Sequence, residues 1–261
     1  MIYMSPSEKI HTYARQYCMD RCELWTKRYA KLAKGGGDRV GAGYTDKAYS
    51  MFPRYNVLSA ILLDVETIDF DKLPNLEELT ELLQIAGDSA NTIFTQNLEN
   101  EIAISAMENE RELFIDELKK VTEKGLGFIE PLFYRRVLSE SEVNSLWNTI
   151  ETQWGANRTY WYPLAEKTHP SLVSLNVSEA NYLIVRKEIR AFLTASKVDR
   201  VFELREYGSE NYLMDSDFSD FAYNFAEGYW ISEANDWIVY CSHEGTITFG
   251  GAISVIKDKC G

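Results

Sequence analysis

The chain is poor in histidine, cysteine and proline, with three, four and six of each in 261 residues. No histidine falls between His11 and His169, so the Glu-x-x-His pairs of a di-metal carboxylate bundle are excluded from the middle of the chain. Cys18, Cys22, Cys241 and Cys260 are too few for a disulfide framework in a chain this long, and read as free thiols. No apolar run approaches the roughly 18 residues that a membrane helix needs. The best candidate, residues 57–63, is far too short. The N-terminus has no basic segment followed by an apolar one, so no signal peptide is expected and the expected location is cytoplasmic. Motifs are scarce as well. The glycine-rich stretch GGGDRVGAGYT, residues 35–45, follows a helical pattern rather than a strand. Its spacing matches neither the phosphate-binding P-loop nor the dinucleotide fingerprint, so it reads as a flexible linker. The Asn-x-Ser/Thr matches at Asn157 and Asn176 carry no meaning in a cytoplasmic chain.

Hydrophobic residues, by contrast, make up 45% and aromatics 13%, enough for a packed core in one large domain or two small ones. The net charge of −13 is unevenly spread. Residues 1–60 hold ten Lys and Arg against five Asp and Glu, a net of +5. Residues 61–120 hold four against fifteen, a net of −11. Such an acidic block repels nucleic acid and speeds encounter with a basic protein. It also serves plain solubility. Under the binding alternative, the candidate contact residues are Glu99, Glu101, Glu108, Glu110 and Glu112, which lie mostly off the apolar stripe of their helix.

Periodicity divides the chain near residue 125. Ser5-Pro6-Ser7-Glu8 opens a helix to about Lys34, which the glycines at 35–37 stop. A second helix is expected over residues 45–65, kinked or broken at Pro53. Pro74-Asn75 begins a third, with Gly87 at its end. A long helical run is expected over residues 89–124, with Phe94, Leu98, Ile102, Met107, Phe114, Leu118 and Val121 on one stripe. Ser139 and Glu142 form a capping box for an amphipathic helix carrying Val143, Leu146, Trp147, Ile150 and Trp154. Tyr160-Trp161-Tyr162-Pro163 is an aromatic cluster, either core or an anchor for a partner. Ser178 caps a further helix to about Ser196. From Val201 the pattern alternates, and a strand to Tyr207 leads into an antiparallel meander at 228–231, 236–242 and 246–256. The expected class is α+β: a helical region at 1–125, then a region at 126–261 whose antiparallel sheet has the helices 139–154 and 178–196 on one face. Packing of the two as one domain is the alternative.

Few constellations point to chemistry. His11, Cys18 and Cys22 share a helix face and are zinc-type ligands, but one helix seldom supplies three. Asp215, Asp217 and Asp220 resemble the start of a calcium loop that lacks its glycine and its final acid. No metal and no cofactor are therefore expected. Ser242 and His243 are adjacent on a strand and point apart, so they form no dyad. Cys241 and His243 share a face, which a thiolate–imidazole pair needs. The polar turns supply a second candidate patch: Glu233 and Asp236 in one, His243 and Glu244 in the other.

The runs Glu227-Gly228-Tyr229-Trp230, Asp236-Trp237-Ile238-Val239-Tyr240 and Ser242-His243-Glu244 resemble the C-terminal strands of small bacterial α+β proteins, some of the immunity type that neutralises polymorphic toxins. The resemblance covers the chain from Val201 onward. It implies a non-enzymatic inhibitor that binds a toxin, often a basic nuclease. The functional expectation is thus a cytoplasmic protein-binding module with a basic protein partner, and with neither nucleic acid nor membrane as partner. The alternatives are a small-molecule enzyme using Cys241 or His243, and a scaffolding protein without catalysis.

Overall fold

The computed structural model describes residues 4–96, 98–125, 127–156, 158, 161–163, 169, 171–206, 210–223 and 226–260. Asn157, Tyr160, Leu126, Tyr207 and the Cys260 side chain lie outside the described residues. The chain is α+β and forms two compact units, Met1–Leu132 and Phe133–Gly261. Among the described residues, no helix is long and apolar enough to cross a membrane.

The first unit is helical. Helix α1, Pro6–Lys34, starts at a capping box in which Ser5 and Glu8 satisfy each other's backbone amides. The glycine-rich stretch is not a loose linker. It folds into a two-stranded antiparallel ribbon of β1 (Arg39–Val40) and β2 (Gly43–Tyr44), turned at Gly41 with φ 59°. Arg39 stacks on Tyr44, and Tyr44 packs on Phe52, which pins the ribbon to the helices. The break foreseen near Pro53 separates α2 (Asp46–Tyr49) from α3 (Phe52–Thr67). Helix α4 is Leu76–Ser89 and α5 is Glu101–Lys124.

Two expectations fail here for local reasons. Residues 90–96 and 98–100 are not helical, because Asn91, Thr92 and Thr95 hydrogen-bond one another in a turn and Asn100 caps α5 by accepting from the Ile102 and Ala103 amides. Phe94, placed on the buried stripe by a helical reading, is 64% exposed. Gly87 does not end α4. It sits inside the helix where α5 presses closest, and a Cβ there would lie 2.8 Å from the Phe114 ring. The core joins Ile10, Ala14 and Cys18 of α1 to Val57 and Ile61 of α3, Leu79 and Leu83 of α4, and Phe114 and Leu118 of α5.

The second unit is a seven-stranded sheet, every neighbouring pair antiparallel, in the order β3-β6-β5-β7-β8-β9-β4. Its strands are β3 (Arg135–Val137), β4 (Leu172–Asn176), β5 (Arg200–Arg205), β6 (Tyr212–Asp215), β7 (Gly228–Ser232), β8 (Trp237–Cys241) and β9 (Thr246–Gly251). The two long helices are α6 (Glu140–Trp154) and α7 (Glu179–Ala195), and α8 (Lys257–Cys260) is a terminal turn.

The helices do not share a face. Trp237, Val239, Cys241 and Phe249 pack with Val185, Ile189 and Leu193 of α7. On the other face Tyr229 and Tyr240 pair across β7 and β8, and Trp147 of α6 meets the Tyr229 ring at 4.9 Å. Trp161 closes the same cluster, its carbonyl accepting from the Tyr240 hydroxyl at 2.9 Å, so Trp161 is core while Tyr162 beside it is half-buried. The physical reason is composition: Trp237–Cys241 is apolar at every position, which suits a strand covered on both sides. At the end of β9, Gly251 has φ 71°, and a Cβ there would lie 2.1 Å from the Asp236 carbonyl oxygen.

Candidate functional site

The acidic face belongs to α4 and α5. Between Lys72 and Lys119 the sequence has one basic residue, Arg111. Its guanidinium turns inward, donating at 2.7 Å to the Gly87 carbonyl and also to that of Ala90, where it satisfies the open end of α4. The nearest lysines in sequence are Lys72, before α4, and Lys119 and Lys120, toward the C-terminal end of α5. Glu101, Glu108, Glu112 and Asp116 follow one stripe of α5 and are exposed, as are Glu99 before it and Glu77, Glu78, Glu81 and Asp88 on α4. None of these nine makes a salt bridge among the described residues.

Glu110 is a correction to the set predicted from sequence. It is fully buried, so it presents nothing to a partner. Arg21 donates to both its oxygens at 2.7 Å, Arg54 adds a bond at 2.8 Å, and the Trp25 indole N–H a fourth at 3.0 Å. The carboxylate is the tie between α1, α3 and α5. It turns inward because two arginines from neighbouring helices are there to compensate its loss of water.

The zinc-type triple on α1 does not converge. His11 Nε2 lies 3.1 Å from the Val65 carbonyl oxygen, Cys18 is buried in the core, and Cys22 faces the Tyr55 carbonyl and the Ser59 hydroxyl. Burial and the nearby Arg15 lower the His11 pKa to about 4, which keeps the ring neutral at ordinary pH.

In the second unit Glu233 and Asp236 occupy the β7–β8 turn. Both are exposed, but Asp236 is also a turn-former, its Oδ1 accepting from the Ser232 hydroxyl at 2.5 Å. The turn borders a groove of about 370 Å³ that also takes in Phe192, Lys197 and Arg200. The thiolate–imidazole pair is not formed. Cys241 is buried and donates to the Phe221 carbonyl at 3.1 Å, and burial pushes its thiol far above the ordinary range. His243 instead meets Glu227 through Nδ1 and Glu244 through Nε2, the latter at 3.3 Å.

Register explains the meeting. Arg205 pairs with Gly228, and Gly228 with Cys241, so the residues just past these rungs gather at one end of the sheet. They are Glu206, Glu227 and the turn carrying His243 and Glu244. Glu227 is buried, with Oε1 accepting from the His243 backbone amide at 3.3 Å and Oε2 making no hydrogen bond of ordinary geometry among the described residues. Burial, then the charges of Glu227 and Glu244, push Glu206 up to about 7. The hydrogen bond to Glu227 raises the His243 pKa. Tyr223 borders the imidazole at 6.2 Å. Sequence reasoning found His243 and Glu244 as turn residues but missed Glu206 and Glu227 as their partners, since only the strand pairing brings those together.

Compared with known proteins, the chain matches no protein-family model, no curated protein and no solved structure.

Proposed function

We propose that the protein is a protein-binding module whose α4–α5 face receives a basic partner. The observation that supports this is the net charge of that face: nine exposed carboxylates on and beside α4 and α5 make no salt bridge among the described residues, and Arg111, the one basic residue between Lys72 and Lys119, donates to backbone carbonyls inside the fold. Fields from neighbouring carboxylates add, and they act mainly on the rate of encounter. Affinity needs apolar anchors as well, and the same two helices leave Leu82, Ile85 and Leu113 exposed. Within this reading the C-terminal resemblance makes a basic toxin, such as a nuclease, the first partner to try, with the protein acting as its non-catalytic inhibitor. The reading as an enzyme using Cys241 loses its nucleophile, because the thiol is buried and bonded to a carbonyl.

The test is kinetic. Association of the full chain with immobilised poly-lysine, and with a basic nuclease, is followed from low salt to about 0.3 M, beyond the roughly 0.15 M at which screening is strong. Glu108→Lys, Glu112→Lys and Asp116→Lys together should slow association by about tenfold or more at low salt. Reversing Glu140, Glu151 and Glu210, exposed in the other unit, should change it less than about twofold. Equal effects of the two triples would mean that total charge alone is being read, and that the α4–α5 face has no special role.

A further inference from the structure

We infer that Glu227, His243 and Glu244 form a site for one divalent transition-metal ion, independent of the acidic helical face. Three observations carry this. First, one donor atom from each of the three residues lies within 4.8 Å of the others, so that all three act on one ion, as a ligand or as the carboxylate that orients the histidine. Second, the imidazole sits between two carboxylates, Nδ1 toward Glu227 and Nε2 toward Glu244. Whichever nitrogen takes the ion, a carboxylate stands beside it as co-ligand, while the other carboxylate holds the proton of the opposite nitrogen and fixes the ring. That is the arrangement which tightens histidine–metal bonds. Third, Glu227 is only 8% exposed at its side chain, yet its Oε2 makes no hydrogen bond of ordinary geometry among the described residues. Buried carboxylate oxygens are normally satisfied, and a cation would satisfy this one.

The imidazole selects the class of ion. Nitrogen beside carboxylate suits zinc and its neighbours, whereas calcium and magnesium take oxygen-only shells. His243 is 55% exposed and Glu244 27% at their side chains, so the ion enters from solvent, and water completes its coordination.

The full chain, stripped with a chelator, is titrated with zinc chloride by calorimetry. One equivalent should bind. His243→Ala and Glu244→Gln, both at an exposed turn and harmless to the core, should each weaken binding by about tenfold or more. His169→Gln should leave the affinity within about twofold, and in the unmutated chain the His243 ring signals in NMR should shift on zinc addition while those of His169 stay. The inference is overturned by an absence of saturable binding at roughly millimolar zinc, by an affinity unchanged in His243→Ala, or by calcium or magnesium binding as tightly as zinc. Survival of binding in His243→Ala would mean that the carboxylates attract cations without a built site.

Discussion

Glu108 faces water from α5, whereas Glu110, two residues on, is closed off by Arg21, Arg54 and Trp25. Amide replacements should separate the two roles. Glu110→Gln leaves two guanidinium groups without their counter-charge, and should cost about 2–3 kcal/mol, below the roughly 3–5 of a fully buried pair because both arginines keep some water. Glu108→Gln should stay within about 0.5 kcal/mol. Denaturant midpoints by circular dichroism measure both, and equal costs would refute the assignment. His11 gives a pH signature. Its folded pKa, about 4, lies below the ordinary histidine value of 6.5, so the unfolded chain binds the proton more readily. The stability due to the neutral ring is complete above about pH 6.5, and is lost as the pH falls toward 4, by about 3 kcal/mol at most. The difference between wild type and His11→Gln, followed by denaturation from pH 7 to 4, should show that loss. A difference independent of pH would contradict it.

Among the elements, strand β8 is the most confined. Trp237 is 1% exposed and meets the Phe192 ring edge-on at 6.3 Å, so Trp237→Ala should cost about 3–5 kcal/mol in a denaturant titration. A shift near zero would place the ring outside the core. The helix starts were legible because their signals are local: Ser5 with Glu8, and Ser139 with Glu142, read directly as capping boxes. The break between α4 and α5 was illegible because Asn100 is a cap only when the turn at 91–95 has already formed. The two-sided cover of the sheet was visible in the unbroken apolar run at β8, but alternation was the template applied to it. Strand β4 was missed because its place as an edge is defined by β9, more than seventy residues later. The cluster at His243 was half legible for the same reason. A turn can be read from Gly245 and its neighbours, while Glu206 and Glu227 reach it only through strand register.

At the scale of the whole molecule, the chain is two units with separate cores, divided after Leu132 rather than after residue 125. Produced alone, residues 1–132 should give a helical circular dichroism spectrum and a cooperative melt, and residues 133–261 should keep an ordered near-ultraviolet aromatic signal. A fragment lacking both cooperativity and tertiary signal would show that its unit cannot stand alone. Trp25 is the single tryptophan of the first unit, so indole fluorescence reports almost wholly on the second.

The order of the sheet also bears on how the protein behaves when crowded. Among the described residues its outermost strands are β3 and β4, each with a neighbour on one side only. An open strand edge is a template on which another chain can dock its backbone. β3 offers three residues, two of them arginine, and is a poor template. β4 is longer, and its Leu172, Val173 and Leu175 carry no charge to repel a copy. Heat-driven clumping should therefore start from one end of the sheet, with β4 stacking against β4, while the arginine-bearing end stays clean.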